Sequence, residues 1–213
     1  MSGIGAITVL SDEALELRVP SQEAAQARAA QLRASGAWAE VVAGERSVAV
    51  LFDALAEDIA AATARLRAAC AAPPPPLAAS TADTLTIPVR YGGADGPDLA
   101  ALAARAGIEE AEVIARHGAG LHTVAMLGFT PGFAYLDPAG GGDASLRVPR
   151  LATPRPRVPA GAVGVAEGRT GLYALPGPGG WPLIGRTDAA LFDARADPPA
   201  RLAPGQRVRF VPA

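Results

Sequence analysis

Six arginines, Arg147, Arg150, Arg155, Arg157, Arg169 and Arg186, fall between residues 144 and 187, where Glu167 is the single acid. A guanidinium offers a planar fork of donors that grips carboxylate or phosphate with two hydrogen bonds at once. The same stretch alternates glycine with proline, as in Pro-Arg-Pro-Arg-Val-Pro-Ala-Gly at 154–161 and Pro-Gly-Gly-Trp-Pro-Leu-Ile-Gly-Arg-Thr at 178–187. Glycine permits positive φ and close backbone approach, whereas proline fixes φ, so this alternation encodes particular loops whose N–H groups can join the arginines around an anion. The chemistry indicated is recognition of a small anionic ligand. A second reading stays open: the arginines are solvated, or pair with acids elsewhere in the chain.

His117 stands immediately before Gly118 at the end of a helical run. There the helix C-terminus favours a cation, which explains the residue and raises its pKa; the other reading makes it a general acid/base or a substrate hydrogen-bond partner. His122 follows five residues later with no carboxylate near it in sequence, a poor metal set, and no metal site is expected. In the segment Gly128-Phe129-Thr130-Pro131-Gly132-Phe133, the phenylalanines read as core anchors of a tight corner, with Gly132 as a candidate ligand contact. Trp181 follows Gly179 and Gly180 and reads as an interface anchor displayed on a rigid turn.

Several chemistries are excluded. The chain holds no lysine, and so no Walker-type phosphate loop, Schiff base or biotin-carrying lysine. No Gly-x-Ser-x-Gly elbow, Ser-His-Asp set or pair of acids occurs in the arginine block, so a complete hydrolytic site is not visible in this one chain. Cys70 is the sole cysteine, which rules out an internal disulfide and a cysteine metal cluster.

The elements that must position these residues fall into two groups. Ile7 to Leu10 and Leu15 to Val19 read as strands, followed by a helix capped by Ser21 and stopped by Gly36. Glu40 to Ala43 and Ser47 to Phe52 form a hairpin around Gly44, and Asp53 caps a helix with Leu55, Ile59, Ala62, Leu66 and Ala69 as its apolar stripe. That order predicts a small split-βαβ domain over 1–72. A proline-rich linker, 73–83, carries Pro73 to Pro76 and favours an extended spacer. The second domain, 84–213, opens with a strand from Thr84 to Arg90 and short helices over Pro97–Ala106 and Glu109–His117. It continues as short β-like runs, 161–166, 171–175 and 207–211, between Gly/Pro turns, the pattern of a compact β-barrel. The fold class is therefore α+β.

At 213 residues with half of them hydrophobic, the chain can bury one good core or two small ones. A net charge of -2 argues against nucleic acid as partner. No run of 18 apolar residues and no leader-like N-terminus is seen, so no membrane partner and a cytoplasmic location are expected.

The four pieces 128–136, 154–161, 168–173 and 178–187, in this order, resemble the carboxyltransferase-domain family that includes the bacterial 5-oxoprolinase B subunit, an inhibitor of histidine-kinase autophosphorylation, and the matching half-domain of urea carboxylase. The resemblance extends into the first half at Ser11 to Leu15 and Glu45 to Asp53. It implies a ferredoxin-like first domain and a cyclophilin-like barrel. It further implies the B component of an ATP-dependent 5-oxoprolinase, opening the lactam of 5-oxoproline to glutamate at a site shared with a carboxyltransferase-like C component, alongside a third, A component. The ATP would be used by the complex, with Arg155, Arg169, Thr170, Gly171 and Gly132 binding the substrate and His117, Arg157 and Arg186 as catalytic candidates, the arginines holding the carboxylate and the developing charge. Two other functions remain open: a kinase-docking inhibitor, in which Trp181 would matter and the arginines would not, and half of a biotin-dependent urea-type carboxyltransferase. This sequence departs from the family pattern at Ala162, Glu167, Arg169 and His122.

Overall fold

The structure, a computed structural model, describes residues 5–75, 84–141 and 146–213. It divides into two compact units, 1–79 and 80–213. Of the proline-rich segment read as a linker, residues 76–83 lie outside the described residues.

The first unit runs β1 (Ile7–Ser11), β2 (Ala14–Arg18), α1 (Gln22–Ala34), β3 (Glu40–Ala43), β4 (Ser47–Leu51) and α2 (Ile59–Ala69). The sheet order is β1-β2-β4-β3, every pair antiparallel. Strands β2 and β3 are therefore parallel to each other across the inserted β4, which is a split β-α-β unit with α1 as its crossover. The fourth place of the ferredoxin-like sheet, beside β2, is taken by the N-terminal β1 rather than by a strand after α2. Period-two alternation buries Leu15, Leu17, Val48 and Val50 against Ala25, Ala29 and Leu32 of α1 and Ala62 and Leu66 of α2.

Ser21 caps α1 as its residue type requires, its Oγ accepting from Ala24 N at 3.1 Å; Gly36 follows the helix at φ +63°. The second helix starts later than the sequence reading placed it. Asp53 closes a local turn by accepting from Leu55 N, and Asp58 is the cap, accepting from Ala61 N at 2.8 Å. Leu55 consequently lies outside the apolar stripe and is 99% exposed. Either aspartate satisfies the chemistry of a cap; only the packing of Ala62 and Leu66 selects Asp58. Cys70 sits at the end of α2, buried, and burial pushes its thiol pKa up, away from reactive thiolate character.

The second unit contains β5 (Leu85–Tyr91), α3 (Leu99–Ala106), α4 (Glu110–Ala119), β6 (His122–Leu127), β7 (Ala134–Pro138), β8 (Arg155–Val158), β9 (Ala162–Ala166), β10 (Arg169–Leu172), β11 (Gly177–Gly179), β12 (Leu183–Arg186) and β13 (Arg207–Pro212). Among the described residues, seven strands close a barrel in the order β10-β7-β6-β13-β5-β12-β9, and β8 pairs with β11 in a separate ribbon. Strand β13 runs parallel to β5. Ile87, Val89, Val163, Val165, Leu172, Ile184, Val208 and Phe210 fill the interior, so the barrel is packed rather than hollow.

Helix α4 extends two residues past His117, through Gly118 to Ala119, instead of stopping there. A Cβ at position 118 would lie 3.3 Å from the Phe210 carbonyl oxygen, so this glycine lets the helix approach β13 rather than ending it. No helix among the described residues is long and apolar enough to cross a membrane.

Candidate functional site

One end of the barrel holds a cavity of about 210 Å³ lined by Arg116, His117, His122, Gly168, Arg169 and Thr170 together with Leu146 and Val165. His117 is at its centre. Helix α4 delivers the ring into the barrel, where it stacks on Phe210 of β13 with centroids 4.8 Å apart and lies 5.1 Å from the ring of His122, the first residue of β6. Its Nδ1 is 2.8 Å from the Tyr91 hydroxyl at the end of β5, and its Nε2 is 3.0 Å from Thr170 Oγ1 on β10. One side chain thus touches four strands. Alternation along β10 explains why Thr170 is available: Thr170 and Leu172 face the interior, and Arg169 faces the rim.

The expected protonation of His117 is overturned. Burial drives its pKa down to about 3, with the neighbouring His122 contributing in the same sense, and burial takes His122 to about 4. The helix C-terminus does favour a cation, but a ring 2% exposed with a hydroxyl at each nitrogen has lost the water that would solvate its charge. Two neutral imidazoles therefore line the cavity. Burial also raises the Tyr91 phenol, which stays protonated.

Of the residues singled out in the sequence, the structure brings His117, Arg169 and Thr170 together. Arg169 sits at the cavity edge, its Nε 2.8 Å from Asp137 Oδ1. Arg147 lies against Gly168 of the cavity wall, and the remaining four arginines are distributed elsewhere. Arg155 and Arg157 lie on β8, outside the barrel; Arg155 pairs with Asp98 at 2.7 Å, and the same carboxylate accepts from Leu183 N at 2.6 Å. Arg157 is exposed. Arg186, on β12, donates through Nε to the Ala160 carbonyl and lies in an ion-pair group with Asp95, Arg90 and Asp188. Arg150 lies 3.7 Å from Glu167. The arginines therefore do not share one pocket, and the second reading holds for three of them: Arg155, Arg169 and Arg186 pair with Asp98, Asp137 and Asp95, acids outside the block.

The glycines and aromatic residues are corrected in a connected way. Trp181 is not displayed: it is 6% exposed and packs with Phe133 and Tyr135 outside the barrel wall, Phe133 in turn meeting Tyr173. A Cβ at Gly171 would lie 2.9 Å from Trp181 Cε3 and 3.0 Å from Phe133 Cζ, and one at Gly164 would meet Trp181 Cβ at 2.9 Å. Gly179 is pressed by the Tyr173 ring, while Gly180 has only ordinary contact with Pro154. Gly132, at φ +74°, faces Phe192 and Ala174. At Gly164, Gly171 and Gly179 the missing Cβ leaves room for aromatic side chains. Phe133 is the buried anchor expected, whereas Phe129 is 59% exposed at φ +74°, a conformation rare for a bulky residue.

Sequence reasoning missed Tyr91 and Arg116 as cavity neighbours and left His122 unassigned. Tyr91 ends a strand 26 residues before His117, and nothing local marks the pairing. His122, five residues from His117, carried the better signal. Among the described residues no three His, Cys, Asp or Glu side chains converge as metal ligands.

The family model for the carboxyltransferase domain, subdomain C and D, matches residues 1–202. The 5-oxoprolinase B subunit of Escherichia coli O157:H7 is 51% identical over 128 residues, which is 60% of this chain and 57% of that protein. The 5-oxoprolinase B subunit of Bacillus subtilis (strain 168) is 47% identical over 125 residues, 59% of this chain and 51% of the relative. The matches therefore span little more than half the length of these curated relatives. Among solved structures, TTHA0988 superposes with a TM-score of 0.79 at 34% identity, covering 95% of this chain and 41% of that one.

Proposed function

Because the chain belongs to the carboxyltransferase-domain family, subdomains C and D, we propose that it is the B component of an ATP-dependent 5-oxoprolinase, working in a complex with a carboxyltransferase-like C component and a third, A component. The observation that carries this reading is the 51% and 47% identity to two proteins named as 5-oxoprolinase B subunits. The fold's occurrence as about two fifths of the longer TTHA0988 chain supports a partner polypeptide beside it.

The cavity defines what this chain contributes. About 210 Å³ suits a five-membered ring carrying one carboxylate and falls below the roughly 300–1,000 Å³ of pockets for larger ligands. Its volume is small for a nucleotide, although Arg116 and Arg169 line it beside the two neutral imidazoles. ATP is therefore assigned to a partner or to the interface with one, and no step of this chain is routed through it. Opening the lactam replaces the ring C–N bond with a new C–O bond to water and leaves a free amine and a second carboxylate. In that step the Thr170 hydroxyl, held by the His117 ring, orients the lactam from inside the barrel, and Arg169, at the rim, faces the carboxylate. Leu146 and Val165 limit water around the amide.

The test is reconstitution. The chain is co-expressed with the products of neighbouring genes, and ATP-dependent release of glutamate from 5-oxoproline is measured. Glutamate formation that requires this chain supports the reading. An assembled, folded complex without turnover rejects it.

A further inference from the structure

The Tyr91–His117–Thr170 chain fixes the direction of protons as well as the distances between atoms. A neutral imidazole has one donor and one acceptor, so the two hydroxyls must play opposite parts toward His117. In either arrangement one hydroxyl hydrogen is left over, on Tyr91 or on Thr170, and the surroundings decide which. Among the described residues, the Tyr91 hydroxyl has His117 Nδ1 as its hydrogen-bond partner. Its ring packs against the barrel core, and it does not line the cavity. A hydrogen left over there, on a partly buried residue, would not reach the cavity. Thr170 does line the cavity, so a hydrogen left over on its hydroxyl meets water or a ligand. Phenol is also the more acidic hydroxyl and hence the better donor to a ring nitrogen.

We infer that Tyr91 is a positioning residue: it donates to His117 Nδ1, holds the ring as the Nε2–H tautomer, and leaves Nε2–H to donate to Thr170 Oγ1, so that the Thr170 O–H points into the cavity and donates to a carbonyl oxygen of the bound ligand. His117 then cannot take a proton from Thr170, and Thr170 is neither a nucleophile nor the substrate of a base. It is a preoriented donor aimed where negative charge gathers on oxygen, held by one buried bond to His117 and, through it, a partly buried bond to Tyr91 before the ligand arrives. That the oxygen belongs to a lactam rests on the 5-oxoprolinase reading above; the direction of the protons does not.

Two measurements test this. In the full chain labelled with ¹⁵N-histidine, long-range ¹H–¹⁵N spectra between pH 6 and 8 report the tautomer of each ring, and His122→Gln assigns the two. The expected result is a pure Nε2–H signature for His117 that becomes mixed or reversed in Tyr91→Phe while the backbone amide spectrum stays folded. An Nδ1–H ring in the wild type, or a tautomer unchanged in Tyr91→Phe, overturns the inference. In the assembled complex, Thr170→Val is expected to lower kcat by about 100-fold, the scale of removing one oxyanion donor, with Thr170→Ser retaining most of the rate. Tyr91→Phe is expected to lower kcat with little change in KM. Thr170→Val that turns over like wild type overturns the donor role. Should the wild-type complex fail to open 5-oxoproline, the functional reading falls, and the tautomer spectra still decide the proton direction.

Discussion

His117 and His122 spend the folded state uncharged, and this has a measurable consequence. Both folded pKa values lie below the ordinary 6.5, at about 3 and about 4, so as pH falls below 6.5 the unfolded chain takes up protons that the native chain refuses. Stability is therefore complete above pH 6.5 and is lost progressively on acidification toward pH 4, each histidine adding a slope of up to about 1.4 kcal/mol per pH unit. Urea denaturation between pH 7 and 5 should show this slope, and His117→Gln with His122→Gln should flatten it. A second prediction at this scale concerns Gly171, where a methyl group would press on Trp181 and Phe133. Gly171→Ala should cost about 1–3 kcal/mol, seen as a lower denaturation midpoint and a shifted tryptophan emission. Gly180→Ala, next to open contact with Pro154, should cost far less.

At the scale of elements, the two acids before α2 make a discriminating pair. Asp58 accepts from Ala61 N at the helix start, whereas Asp53 closes an exposed turn. Asp58→Ala should destabilise the first unit by about 1 kcal/mol, and Asp53→Ala by less, measured by thermal unfolding of each. Strand β10 is the element on which the barrel's chemistry turns. Its two faces serve different ends: Thr170 reaches His117 inside, while Gly171 receives aromatic rings outside. Helix α4 is the other, since its close approach to β13 across Gly118 carries His117 into the barrel. The helical run ending at His117 was readable from its residues; β10 was not, since the run read at 171–175 leaves out Thr170, and neither was which face of β10 meets which neighbour.

For the whole molecule, the two units have separate cores, one built around Leu15, Val50 and Leu66 and the other around Val89, Leu172 and Phe210. Each unit carries one of the two tryptophans, Trp38 and Trp181. Leu66→Ala, which opens a cavity in the first core, should cost about 2–5 kcal/mol there. The loss should appear as a lower midpoint in the unfolding transition followed by Trp38 emission in a Trp181→Phe background. Local signals determined much of this protein: the strand and helix periods, the Ser21 cap, the absence of lysine, the two-part α+β organisation and the four Gly/Pro-rich pieces that place it in its family. Those properties depend on neighbours within a few residues, which the sequence displays directly. Only the tertiary structure decided that His117 is neutral, that Arg155, Arg157 and Arg186 stand apart from Arg169, that Trp181 is buried, and that Tyr91 belongs with His117 and Thr170. Each of those depends on burial and on partners brought from distant strands by closure of the barrel, and desolvation and pairing of that kind leave no mark on the local run of residues.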